Sequence, residues 1–190
     1  MNDNQFHSYI EELMFPKLSY RSVKKDYSVL KNVNKKACAQ CGGLCCKRCG
    51  CHFSPDDFQE ISFEFLKKEL DKGYISIEFV DREMILEDSG VYILRIRNQD
   101  SPIVDTNYRK NSCILLTPNG CKLNYKHRPT GGKLLIPSEE LQPGLLGEPP
   151  RRKCISSYDI RKCCYEWKPH KKLLYELSEY FKDKDFPCSL

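Results

Sequence analysis

The sequence predicts an α+β fold, a single small domain of helices with a short antiparallel sheet. Three observations carry that prediction. The runs YISIEFV (74–80) and VYILRIR (91–97) alternate and are rich in β-branched and aromatic residues, as half-buried strands are. Helical stretches with recognisable ends lie on either side, at 54–73 and at about 156–183. Cysteine makes up 12 of 190 residues, too many for chance and concentrated enough to organise a small core. There is no internal repeat and no domain boundary, so residues 1–190 read as one domain.

In chain order, 5–14 (QFHSYIEELM) reads as a short helix, followed by a polar approach segment to about residue 36. The cysteine block occupies 38–51. In SPDDFQEISFEFLKKELDKG, Ser54 suits an N-cap, Pro55 the first helical position, and Asp56 and Asp57 the positive end of the dipole. Glu60 belongs to the same acidic start. Phe58, Ile61, Phe65, Leu66 and Leu70 line one face, and Gly73 suits the position beyond the C-cap. The two strands follow, with DREMILEDSG between them, giving two or three antiparallel strands. Residues 129–150 are dense in proline and glycine and read mostly as loop. The final helix is expected to bend near Pro169, with Leu173, Leu174, Leu177, Tyr180 and Phe181 as its apolar stripe and Trp167 and Tyr165 in the core.

No stretch is apolar for long enough to span a bilayer, and MNDNQFHSYIEELMF lacks the pattern of a secretory signal. A cytoplasmic protein with reduced thiols is the expectation. The net charge of +5 is uneven. Residues 31–49 carry five cations and no acid, 151–172 carry a net +6, and 55–90 a net −7. Both basic stretches are cysteine-rich, and neighbouring cations stabilise an anionic metal–thiolate centre. Nucleic-acid binding is disfavoured, because no contiguous basic run interleaves with aromatics.

Cys38-x2-Cys41-x3-Cys45-Cys46-x2-Cys49-x-Cys51 places six thiols in fourteen positions. A Cys-x2-Cys turn converges two sulfurs on one ion, and Gly42 and Gly43 let the chain fold back to bring Cys45 or Cys46 to it. Adjacent cysteines suit a cluster or two neighbouring centres. The packed spacing favours an iron–sulfur cluster, with one or two Zn2+ ions as the alternative.

CAQCGGLCC at 38–46 fits a CxxCxxxCC pattern, SPDDF at 54–58 follows it, and Cys113-ILLTPNG-Cys121-KLNYKHRP leads into Arg128 and Pro129. Together these resemble the YkgJ-type cysteine-cluster family, described as a zinc- or iron-chelating domain, over roughly residues 37–137. The resemblance implies metal binding at the four cysteines of the pattern together with Cys113 and Cys121. Where many relatives have a cysteine three residues after the Arg-Pro proline, this chain has Gly132. Cys163 or Cys164 is the expected replacement, with Cys163 favoured, while Cys49 and Cys51 exceed the minimal pattern. Flagellin lysine N-methylases carry a related motif, which keeps a protein-modifying role in view, although no Gly-rich nucleotide loop follows a strand.

Beside these thiols, Arg128 is expected to bond cluster sulfurs or pair an acid, which makes it the cofactor-binding candidate. Arg128-Pro129-Thr130-Gly131-Gly132 reads as a turn that braces the cluster, ahead of an anion-binding turn. His52 is a secondary ligand candidate; His7, His127 and His170 lack partner spacing, and Cys188 reads as a free thiol. Three functions follow: a metal protein with redox or protein- or peptide-modifying chemistry and a protein or peptide partner, a structural zinc module mediating binding, or a small protein-modifying enzyme that uses the cluster directly.

Overall fold

The computed structural model describes residues 46–47, 50–81, 90–106, 111–118, 120–142, 151–156 and 160–184. The expected helix at 5–14 and the approach to residue 36 lie outside these residues, as do Cys38, Cys41, Cys45, Cys49, Cys188, His7 and most of the segment between the two strands. Among the described residues the fold is α+β, and no helix is long and apolar enough to cross a membrane.

The alternating runs form β1 (Ile75–Val80) and β2 (Val91–Ile96), paired antiparallel from Ile75↔Ile96 to Val80↔Val91. The third strand, β3 (Val104–Asp105), corrects the antiparallel expectation: it runs parallel to β1, with Glu78 opposite Asp105. Two residues leave no periodicity to read. Alternation gives the sheet two different faces. Ile75, Ile77, Leu94 and Ile96 share the side on which Tyr92 meets Tyr175 of the C-terminal helix, with ring centroids 6.2 Å apart. Ser76, Glu78 and Arg95 point to the other side and are also buried. There the fully buried Arg95 pairs through Nε with Glu78 (2.7 Å) and through its terminal nitrogen with Asp105 (2.7 Å).

The stretch predicted as one helix from Ser54 to Gly73 is two elements. Pro55–Asp57 is a single 3-10 turn, capped by Ser54 and closed by the Asp57 side chain on the Ser54 N–H. Phe58 is already extended. A second cap, Ser62, then starts α1 (Phe63–Asp71), and Gly73 follows its end at φ 78°. Both serines carry N-cap chemistry, and the chain uses both. Leu66 and Leu70 are fully buried, while Phe58, Ile61 and Phe65 lie at the core's margin.

A small hairpin joins β4 (Leu116–Thr117) to β5 (Gly120–Cys121). The stretch 129–150, expected as loop, contains α2 (Thr130–Lys133) and β6 (Leu135–Gln142), which pairs antiparallel with β7 (Arg151–Ser156). Proline is tolerated because this sheet has only two strands and its register shifts between Pro137 and Leu141.

The C-terminal helix breaks as expected, into α3 (Ile160–Trp167) and α4 (Lys171–Phe181) with a 3-10 turn over Lys168–His170. Both pack on β2. Trp167, Leu174, Leu177 and Phe181 are buried, but Tyr165 is 74% exposed and Tyr180 38%, which corrects their assignment to the interior. On α3, Tyr165 sits one position from the buried Cys164 and two from Trp167, and a helix turns about 100° per residue, which carries it onto the outer face. Trp167 donates from Nε1 to the Phe53 carbonyl at 2.8 Å. Replacing it with Phe removes that donor and some packed volume, so Trp167→Phe should cost about 1–3 kcal/mol, read by urea unfolding. A loss below about 0.5 kcal/mol would mean that the indole N–H contributes nothing.

Candidate metal centre

Residues 50–53 run along β2 as a short extra strand. Ile96 N–H donates to the Cys51 carbonyl and Phe53 N–H to the Leu94 carbonyl, each at 2.9 Å, with His52 opposite Arg95. Gly50 N–H donates to Asn98 Oδ1 at 2.7 Å, and a Cβ on Gly50 would overlap the Ile96 carbonyl. Extended backbone sends neighbouring side chains to opposite sides. Phe53 enters the core; His52 faces the buried Glu78, with Nε2 3.6 Å from Oε2. Cys51 leaves on the side opposite His52. The imidazole thus belongs to the Glu78–Arg95–Asp105 charge group, not to the thiols.

The end of this strand is anchored by contacts distant in sequence. Ser54 Oγ donates to Glu166 Oε2 at 2.7 Å, and both Trp167 Nε1 and the Cys163 thiol, at 3.6 Å, face the Phe53 carbonyl. Asp57 is the strongest tie. Its Oδ2 accepts from Ser54 N–H (2.9 Å) and Thr130 N–H (2.8 Å), and its Oδ1 from Thr130 Oγ1 (2.8 Å). Burial pushes this carboxyl above the ordinary carboxylate range, and the bonds from Thr130 and Ser54 oppose the shift. The acid read from sequence as dipole chemistry therefore clamps SPDDF to α2.

Beyond the clamp, Gly131 N–H donates to the His52 carbonyl at 3.0 Å. Neither Gly131 nor Gly132 has a positive φ, so conformation does not demand glycine at either position. Space does. A Cβ on Gly131 would stand 2.8 Å from the His52 carbonyl oxygen. One on Gly132 would stand 3.1 Å from Cys51 Sγ and 3.4 Å from Arg128 Cβ.

Cys51 and Arg128 also neighbour Cys121, at the end of β5. The Arg128 guanidinium hydrogen-bonds the Cys121 sulfur, as expected from sequence, and Arg128 Nε reaches the Leu123 carbonyl at 3.4 Å. Burial pushes the Cys121 thiol up, Arg128 draws it down, and Cys51 raises it further. A buried thiol of that kind stays protonated until a bound cation displaces the proton. Two sulfurs from segments far apart in sequence thus share one site under a cation.

The other thiol candidates fall into two groups. Cys113 N–H donates to the Cys46 carbonyl at 2.6 Å, which joins the end of the cysteine block to the strand before β4. Cys163 and Cys164 are buried among core side chains, and Cys163 is turned toward Phe53. Cys46, Cys51, Cys113, Cys121, Cys163 and Cys164 are all thiols rather than disulfides. Among the described residues, no three Cys, His, Asp or Glu side chains converge to hold an ion; the rest of the Cys38–Cys49 block lies outside them. Sequence reasoning missed Asp57 and the paired glycines as site-builders. Their signal was two successive glycines in a segment that turns out helical.

Comparison of the chain with known protein families, curated proteins and solved structures found no match. The site itself defines the class: a small α+β protein with a buried, cation-flanked thiol pair beside a cysteine-dense segment.

Proposed function

We propose that this chain is a metal-binding cysteine-cluster protein, holding an iron–sulfur cluster in the cytoplasm and serving redox or modification chemistry on a protein or peptide partner. The observation that carries this reading is Cys51 and Cys121 placed together beside Arg128. Neutral packing explains buried thiols singly, but not a pair with a guanidinium bonded to one sulfur. The remaining ligands come from Cys38, Cys41, Cys45, Cys46, Cys49 and Cys113, whose spacing and resemblance to YkgJ-type proteins support the same reading. A cluster supplies electron transfer at a potential that hydrogen bonds to its sulfurs help to set, and Arg128 is placed to make one.

Anaerobic purification, with iron, zinc and acid-labile sulfide measured together, tests it. Iron with equivalent sulfide in a brown protein supports the cluster; stoichiometric zinc without sulfide shifts the reading to the structural module; neither metal in stoichiometric amount overturns it.

Metal should also stabilise the fold, because the thiols lie on segments that meet only in the native state. Chelation is expected to lower the melting temperature by more than about 5 °C, equivalent to 1 kcal/mol or more for a chain of this size. An unchanged melting curve after verified metal loss would show that the centre carries no folding energy.

A further inference from the structure

Gly132 sits in α2, where glycine costs about 1 kcal/mol against alanine, and its φ gives no compensation. What the missing side chain provides is room for one group, the Cys51 sulfur, 3.1 Å from the vacant Cβ position. The strand carrying Cys51 is fixed against this spot from three directions: β2 on one side, Gly131 N–H on the His52 carbonyl, and the Asp57 clamp. Arg128, whose Cβ borders the same vacant position, reaches onward to Cys121.

We infer that Cys51 is a metal ligand seated in the socket left by Gly132, so that the 50–53 strand, and not α3, completes the thiolate set around Cys121. The inference rests on the reading that the chain binds a thiolate-held metal, and it makes a specific geometric claim. A thiol attached at position 132 and a thiol attached at position 51 reach the same point from opposite backbones. Cys163, directed at the Phe53 carbonyl, then serves packing.

The full chain, purified anaerobically, is compared as wild type, Cys51→Ala, Cys51→Ser, Cys163→Ala and the double variant Cys51→Ala with Gly132→Cys. Bound iron and zinc are measured during titration with a competing chelator, and Trp167 fluorescence on heating confirms that each variant is folded. Cys51→Ala and Cys51→Ser should weaken metal retention at least about 10–100-fold, the loss usual for a partner one shell further out. The double variant should recover most of it, and Cys163→Ala should retain the metal. In metal-free protein, dibromobimane, which bridges only thiols close together, should link Cys51 to Cys121, with the linked peptides identified by mass spectrometry. Metal retained by a folded Cys51→Ala, or lost with Cys163→Ala while Cys51→Ala keeps it, overturns the inference and leaves the metal reading standing. No rescue by the double variant, with its fold intact, also overturns it. A wild-type chain that binds no metal overturns both, and the bimane bridge then reports whether the two thiols are neighbours at all.

Discussion

Arg95→Met should lower stability by about 3–5 kcal/mol, the loss usual when one partner of a buried ion pair is removed. Arg95 has no exposed surface, and Glu78 and Asp105, its partners at 2.7 Å, are 2% and 1% exposed. The two carboxylates sit opposite each other across the parallel β1–β3 pairing, so the guanidinium separates like charges as well as satisfying them. Methionine keeps much of the stem's packing and removes only the charge and donors. Urea unfolding of Arg95→Met, and of the triple variant that adds Glu78→Gln and Asp105→Asn, divides the causes. The triple variant should regain at least half of the loss, because nothing charged is then left buried without a counterion. If it is as weak as Arg95→Met, packing of the arginine, not its charge, holds the sheet.

Asp57→Ala should be nearly as damaging, at about 3 kcal/mol or more, since it strands three buried donors and each such loss costs about 1–3 kcal/mol. Ser54 and Thr130, which supply those donors, are fully buried, so water has no direct route to replace the carboxylate. The loss should also loosen α2 from the Cys51 strand. Thiol labelling of metal-free protein at Cys51 should therefore quicken before global unfolding. The pH dependence has a definite sign. Burial raises this carboxyl's pKa in the folded state, so the fold holds its proton more tightly than the unfolded chain does. Asp57's contribution is then largest in acid and declines as pH rises from the unfolded value of about 3.9 through the raised folded value, flat beyond it. Asp57→Asn should remove that slope. A slope of unchanged size in Asp57→Asn would assign it to other carboxyls.

Much of the scaffold was legible, because β1, β2, α1 and the broken C-terminal helix each repeat a local pattern. What stayed hidden depends on partners far along the chain. Alternation marked Ser76, Glu78 and Arg95 as one face of a sheet but said nothing about that face being buried. Asp57 looks like any acid in a first helical turn until Thr130, 73 residues on, is placed against it. Gly132 reads as a turn residue when only its own neighbours are considered; its emptiness matters because Cys51 lies beside it. Pro137 suggested loop, since sequence alone gives no hint that the strand has one partner and an irregular register. In the site, Arg128 was legible from its motif. The facing of Cys51 was not, because it follows from the direction in which His52 and Phe53 are already committed.

The ties that close over Phe53 and Ser54 span 114 and 112 residues, to Trp167 and Glu166. During synthesis at about 5–20 residues per second, roughly 6–23 s separate the two ends of those contacts. The Cys51 strand is therefore made early and enclosed late, and its thiols meet the cell's reductants and metal carriers before the helix that shelters them exists.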